Sequence, residues 1–306
     1  MRTVLGACCG PVHILNAMGW KDRQGNVLPD DSRSPSLRFL YGTALGRAAL
    51  RVLIKPFVSK LAGGFMDSGL SRPLISGFVR RNGIDLSICE ERRYRSFNDF
   101  FTRRLKPSAR VADMEKSHLI SPCDGKLTVY TVTEDGTFEI KGTRYTLLSL
   151  LRDEALARKY LGGTLLVFRL TVGDYHRYCY MDGGAKSGNI HIDGVFHTVN
   201  PIACDRYPIY KENTREYCVI DTDSFGEVTM MEVGALLVGR ILNHHGAQRV
   251  ERGQEKGMFL FGGSTIVAAI EKDRVTIDGD IVRNTREGFE TVVKLGEKIG
   301  IGEGNG

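Results

Sequence analysis

Two kinds of hydrophobic pattern divide the chain. Over residues 37–62 apolar residues recur at helical spacing, and Arg47, Arg51 and Lys55 stand four apart. This predicts an amphipathic helix with a basic stripe, kinked or restarted at Pro56. Residues 72–82 continue the helical pattern, and Ser96-Phe97-Asn98-Asp99-Phe100-Phe101 predicts a turn capped by Ser96 or Asn98. Lys106-Pro107-Ser108-Ala109-Arg110 then breaks the pattern. Beyond it come short β-like runs punctuated by Gly and Asp. Runs 127–133 and 137–140 flank Glu134-Asp135-Gly136, a hairpin signal. Runs 161–172, 217–222 and 227–238 follow, the last two separated by Asp223-Ser224-Phe225-Gly226, and a single helix is expected over 145–159. The closing stretch 291–300 carries the Val-x-x-Gly-x-x-Ile-Gly turn common in small β sandwich-barrels. The expected fold is α+β: an extension over 1–35, a basic amphipathic helical region over 36–110, and a β-rich sandwich-barrel domain over 111–306.

Charge follows the same division. Residues 1–110 hold 19 Lys+Arg against 8 Asp+Glu, a balance of +11, while residues 111–306 hold 23 against 28, a balance of −5. A basic front suggests an anionic partner. No nucleic-acid motif accompanies it, so nucleic acid is set aside and an anionic membrane surface is preferred. Charges interrupt 37–62 too often for a membrane span, which takes ~20 apolar residues. The uncharged run 257–270 is also too short and holds a double glycine. Two readings stand: an interfacial helix, which makes 36–110 a membrane-facing region, and a helix packed on its own domain with a solvated basic face. The seven cysteines are adjacent at Cys8-Cys9 and otherwise scattered singly, which favours a reducing compartment over a disulfide framework or a metal site. Residues 1–8 end in a lipoprotein-like Leu-Gly-Ala-Cys, but the apolar segment before Cys8 is too short for a signal peptide, whose core is ~7–15 residues.

The candidate chemistry lies near the C-terminus. Phe261-Gly262-Gly263-Ser264-Thr265 separates two apolar runs, 257–260 and 266–270. Taken alone it reads as a hairpin turn entering a strand. It is also what a chain needs if Ser264 is to attack the carbonyl of Gly263, since glycines leave that backbone pliable and unshielded. Potential acid–base partners are Asp124 in Ser121-Pro122-Cys123-Asp124-Gly125, His176 in Asp174-Tyr175-His176-Arg177-Tyr178, His197, and the pair His244-His245. A nucleophile, a base and a carboxylate that orients the base would activate the hydroxyl.

Several segments, in order, carry a family likeness: 96–107 (SFNDFFTRRLKP), 121–126 (SPCDGK), 141–148 (KGTRYTLL), 174–178 (DYHRY), 197–202 (HTVNPI), 210–215 (YKENTR), 225–239 around VGALLVG, and 256–265 (KGMFLFGGST). Through them the chain resembles the phosphatidylserine decarboxylases, pyruvoyl-dependent lipid enzymes made as self-cleaving proenzymes. The likeness spans about residues 37–300. It implies that residues 111–306 form the catalytic domain and that Ser264, assisted by a base and Asp124, attacks Gly263. The resulting ester would eliminate to a β chain 1–263 and an α chain 264–306 headed by a pyruvoyl group derived from Ser264. That covalent cofactor would form a Schiff base with phosphatidylserine and release phosphatidylethanolamine. Partners would be lipid in an anionic membrane and the two cleaved chains, with a homo-oligomer as a further option, at the cytoplasmic face of the cell membrane. One departure stands out: the family's usual triad histidine falls three residues after His176, where this chain has Cys179. His176 is the first choice of base and His197, which lies in another matching segment, the second; Cys179 would be a poor substitute, because a thiol of ordinary pKa, ~8.5, is mostly protonated at neutral pH.

Other readings are a pyruvoyl decarboxylase of another headgroup or of a soluble amino acid, a non-enzymatic β carrier or binding module, and a barrel-type metallopeptidase. A carrier needs a lysine at a hairpin tip and a peptidase a His-x-His or His/Asp set. Adjacent His244-His245 would point to opposite faces of a strand.

Overall fold

The computed structural model describes residues 19–29, 35–140, 143–195, 197, 212–234, 240–262 and 264–303. One eleven-stranded sheet organises the chain. Edge to edge it runs Gln248–Val250, Gly184–Lys186, Arg215–Thr222, Gly226–Val233, Ser264–Ile270, Thr164–Leu170, Gly125–Thr131, Glu290–Val293, Trp20–Lys21 and Val27–Leu28, with Ile190–Ile192 beside Arg215–Thr222. Trp20–Lys21 joins Glu290–Val293 in parallel, and the long central strands pair antiparallel.

The central strand Ser264–Ile270 is buried at every position. Ile266, Ala268 and Ile270 enter one core with Leu166, Phe168 and Met230, while Val267 and Ala269 enter another with Leu165, Val167 and Met231. A strand covered on both faces has no polar side, which is why this segment reads as an unbroken apolar run. The helices Leu147–Leu151 and Glu154–Lys159 cover one face, together with Tyr41 and Leu50 of the front region. Two three-stranded sheets cover the other: Ile241–Asn243, Glu255–Phe259, Arg177–Cys179, and Val275–Ile277, Lys298–Gly302, His118–Ile120. Among the described residues the large ladder does not close on itself, so the layering is that of a sandwich within an α+β chain.

The front region is helical, in pieces: α1 (Pro35–Gly42), α2 (Ala44–Leu53), α3 (Pro56–Asp67), α4 (Leu74–Arg81) and α5 (Phe97–Phe101). The helical stretch expected over 37–62 is thus three helices: the restart at Pro56 is as expected, and the break at Thr43 is not. Thr43 caps α2 by accepting from the Gly46 N–H at 2.9 Å, and Pro56 restarts the chain as the first residue of α3. Lys55 therefore precedes α3 instead of continuing a stripe with Arg47 and Arg51. Ser96, not Asn98, caps α5, accepting from the Asp99 N–H at 3.1 Å.

Three other expectations need correction. The 134–136 turn forms, with Gly136 at φ 73° and its N–H on the Thr133 carbonyl at 2.8 Å, but the flanking strands separate after it. Gly125–Thr131 pairs with Thr164–Leu170 from Lys126 to Thr131 and with Glu290–Val293 from Gly125 to Leu127, while Thr137–Ile140 pairs with Thr143–Thr146. The helix over 145–159 is two, broken at Arg152, whose φ of 53° is left-handed, and restarted by Asp153 accepting from Leu156 N–H at 2.9 Å. The runs before and after the double glycine do not form a hairpin: Glu255–Phe259 belongs to a small sheet and Ser264–Ile270 to the centre of the large one. Between Phe259 and Ser264 the chain passes from the small sheet to the large one.

Because Leu166 is fully buried in the core that covers the Ser264 face, Leu166→Ala in a chain that also carries Ser264→Ala should lower unfolding free energy, relative to Ser264→Ala alone, by about 2–5 kcal/mol. Urea denaturation of both proteins measures it, and a loss below about 1 kcal/mol contradicts this packing.

Candidate active site

Ser264 opens the central strand opposite Leu170 and is 1 % exposed. Thr171 follows Leu170 and starts a turn in which the Asp174 N–H reaches the Thr171 carbonyl at 2.9 Å. The chain then re-enters as Arg177–Cys179, paired antiparallel with Glu255–Phe259. The His176 carbonyl takes the Phe259 N–H at 2.9 Å, so His176 sits level with the end of the strand that leads into the glycine step. Two ladders thus deliver Ser264 and His176 to the same place from residues 88 apart.

The geometry there is directional. His176 Nε2 lies 2.9 Å from the Thr171 carbonyl, which can only accept, so Nε2 carries the proton and the neutral ring presents the Nδ1 lone pair. Nδ1 faces Ser264 Oγ at 3.4 Å, long for a hydrogen bond and aligned for the hydroxyl to donate. Phe101 packs against the imidazole, with ring centroids 4.2 Å apart and planes tilted by 31°. Burial depresses the His176 pKa to about 4, against the raising influence of nearby Asp174. At neutral pH the ring is therefore an uncharged acceptor.

Aromatic residues of α5 wall the step. Phe261 meets Phe97 and Phe101 edge-on at 4.9 and 5.2 Å, and its N–H donates to Asn98 Oδ1 at 3.0 Å. Asn98 Nδ2 is in turn held by Asp67 Oδ1 at 2.8 Å. Gly262 has φ 138°, backbone that glycine adopts without strain. Gly263 lies outside the described residues. The front region thus builds one side of the site as well as an outer surface.

The other predicted residues are placed differently. Asp124 accepts a bidentate pair from Arg110, at 2.8 and 2.6 Å, and the Leu295 N–H at 2.9 Å. These bonds occupy both carboxylate oxygens, and none of the described contacts joins Asp124 to His176. His197 is buried beside Tyr41 Oη, 3.4 Å from Nδ1, with the Glu212 carboxylate 3.8 Å from Nε2. None of its described contacts reaches Ser264, and burial lowers its pKa to about 4. Cys179 is buried, and desolvation pushes its thiol up to about 12, so it is neutral and unsuited to accept a proton from a hydroxyl. The Thr171 carbonyl, Phe101 and Arg110 escaped the sequence reading. A main-chain carbonyl has no residue signature, although Phe101 does fall within the aromatic 96–101 segment.

A second buried polar group shares the Ser264 face. Glu232 stands opposite Ile266, and its carboxylate pairs with Lys256 Nζ at 2.8 Å, both side chains fully buried. Burial raises the Glu232 pKa against the pull of Lys256. Asn243 bridges the two, donating to Glu232 at 3.0 Å and accepting from Lys256 at 2.8 Å. This pair ties the Glu255–Phe259 strand to the large sheet.

Comparison with known proteins identifies the family. The Phosphatidylserine decarboxylase family profile matches residues 97–301. Phosphatidylserine decarboxylase proenzyme 2 of Clostridium acetobutylicum is 46% identical over 269 residues, covering 88% of this chain and 92% of its own. The phosphatidylserine decarboxylase proenzyme of Ruminiclostridium cellulolyticum is 45% identical over 270 residues, 86% of this chain and 90% of its own. That of Clostridium perfringens strain SM101 is 41% identical over 270 residues, 86% and 92%. With the profile spanning most of the sandwich and relatives aligned along nearly their whole length, the chain belongs to the phosphatidylserine decarboxylase family.

Proposed function

We propose that the chain is the proenzyme of a carboxy-lyase that converts phosphatidylserine to phosphatidylethanolamine after cutting itself between Gly263 and Ser264. The observation that carries this reading is the buried Ser264 hydroxyl facing the unprotonated Nδ1 of His176. His176 takes the hydroxyl proton as Oγ bonds to the Gly263 carbonyl carbon, and the Gly263–Ser264 C–N bond opens as its nitrogen gains a proton, leaving an ester. Loss of the Ser264 α-proton and cleavage of the Cβ–O bond release the Gly263 carboxylate, and water then replaces the nitrogen, which leaves as ammonia. A 1 % exposed hydroxyl between packed layers suits this intramolecular attack, because the walls hold the reacting atoms together. The pyruvoyl group so formed supplies an electrophilic carbonyl that acts as electron sink for decarboxylation. Asp124 contributes through the 121–126 turn, which Arg110 locks to the chain entering the β domain.

The front helices support a peripheral membrane position. Phe57, Leu61 and Phe65 repeat every four residues along α3 and are 69, 60 and 45% exposed, with Leu45 and Leu70 exposed nearby. Arg51, Lys55 and Lys60 are exposed among them, as an interfacial helix on anionic lipid requires. Among the described residues no helix is long and apolar enough to cross a membrane. The cysteines Cys89, Cys123, Cys179 and Cys218 are buried and free, which favours the cytoplasmic face.

Ser264→Ala is expected to remain a single full-length chain with no decarboxylase activity, and an SDS gel showing cleaved Ser264→Ala protein would end the proposal. In His176→Ala, self-cleavage should slow by about 10²–10⁴-fold, the range of general-base catalysis, whereas His197→Ala should cleave at a rate close to wild type. Replacing Phe57 and Leu61 by Ser should weaken binding to phosphatidylserine vesicles by about tenfold or more, in proportion to the apolar area withdrawn, leaving cleavage intact; sedimentation with vesicles reads this out. Acid stability supplies another test. An unfolded histidine takes its proton near 6.5, but His176 in the fold resists until about 4. Folding stability is therefore lost as pH falls through that window, by about 3 kcal/mol at its end. In the Ser264→Ala background, His176→Gln should remove that part of the acid-induced loss, measured by denaturant midpoints at pH 7 and pH 4.

A further inference from the structure

His176 is held by one carbonyl, and that carbonyl belongs to a turn locked by charge. Asp174 Oδ2 accepts both the N–H of Thr171 at 2.6 Å and its hydroxyl at 2.7 Å. Lys126 Nζ closes on the same carboxylate, at 2.7 and 2.6 Å, and donates to the Thr171 hydroxyl at 3.1 Å. Lys126 is 6% and Asp174 12% exposed at the side chain, and the indole of Trp20 lies 4.7 Å above the ammonium. Burial alone would raise the Asp174 pKa, but the Lys126 charge and the Thr171 bonds overcome it and hold the carboxylate ionised. These contacts form a continuous chain from Lys126 through Asp174 and Thr171 to His176 and Ser264.

We propose that Asp174 and Lys126 are positioning residues for self-cleavage: they clamp the Thr171 carbonyl that sets the tautomer and aim of His176. The inference rests on His176 being the base for Ser264. In Ser-His-Asp sites a carboxylate does this by bonding the imidazole directly. Here Asp124 is occupied by Arg110, and Asp174 exerts the same control one step removed, through the main chain. Lys126 balances a carboxylate that would otherwise be buried unpaired. The charged groups around the imidazole are Asp174 on its own turn, Lys126 from the Gly125–Thr131 strand, and Arg103 after α5, whose guanidinium lies 3.4 Å from the Asp174 carbonyl. The negative charge of Asp174 raises the affinity of His176 for protons and the two cations lower it.

The test follows radiolabelled precursor from cell-free synthesis, diluted into buffers from pH 3 to 8 so that the range brackets the His176 pKa of about 4, by SDS gel. Asp174→Asn should slow cleavage at pH 7.5 by about tenfold or more, as a small misalignment of reacting groups does. Its acid limb should move to lower pH, whereas in Lys126→Met the limb should move to higher pH; a purely structural role slows cleavage without moving the limbs apart. Thr171→Val keeps the carbonyl but loses the hydroxyl contact to Asp174, and should slow cleavage less than Asp174→Asn, with the limb unmoved. If Asp174→Asn proves unfolded by near-ultraviolet circular dichroism, the Lys126→Met limb decides alone, and Asp174→Glu should restore most of the rate. Wild-type rates and limbs in Asp174→Asn and Lys126→Met overturn the inference while leaving His176 as the base. A His176→Ala precursor that cleaves normally overturns the reading beneath it.

Discussion

The main-chain carbonyl of Thr171 is the contact on which the rest of the site depends. By taking the Nε2 proton of His176 it leaves one lone pair free, aimed at Ser264. A histidine buried without such a partner could turn over and would have no preferred tautomer. The surrounding protein then keeps the ring neutral by excluding water, at the cost of basicity, since a base of pKa about 4 takes a proton reluctantly. For a reaction that each molecule performs once, alignment and dryness matter more than turnover speed.

Holding that alignment requires several buried charges. Lys126–Asp174, Arg169–Glu290 and Lys256–Glu232 are ion pairs with little or no exposure; Arg169 and Glu232 lie on the two strands that flank Ser264–Ile270, and Lys126 lies one strand further out. Such pairs add little net stability, because desolvation offsets their attraction. Each is directional, however: Arg169–Glu290 braces strands within the large sheet, and Lys126–Asp174 holds the turn that leaves it. The Lys256–Glu232 pair fastens the strand before the glycine step to the sheet that receives Ser264. Asn98, tethered to Asp67, fastens Phe261 to the front region. Phe259 and Phe261, on the approach to Ser264, are thus each held by polar contacts, Phe259 through Lys256 on its strand and Phe261 through its own N–H.

Much of this was legible in the chain. The Arg215–Thr222 and Gly226–Val233 hairpin appears where the Asp-Ser-Phe-Gly turn placed it, and the shift from helical to strand pattern near residue 110 marks the passage into the β layers. The errors share a cause. Residues 127–140 pointed to a local hairpin, yet Gly125–Thr131 found partners about 40 and 165 residues away. The helices over 37–62 and 145–159 each broke where a capping side chain offered the backbone another partner, at Thr43 and at Asp153. Of the site, Ser264 and His176 were named from motifs and are adjacent in space. Asp124, also named from a motif, is bound to Arg110, and His197 packs beneath Tyr41.

Local sequence determined which residues could react and what flanked them: glycines before a hydroxyl, a histidine in an aromatic turn, a lysine and aspartates beside them, and a basic, apolar-studded front. Those properties depend on side-chain chemistry and on neighbours a few positions away, so they survive without a fold. Which histidine meets Ser264, which carboxylate controls it and which side chain is neutral were decided only by the tertiary structure. Those outcomes depend on sheet register and burial, and both arise from pairings between segments far apart in the chain, whose energies no short stretch of residues contains.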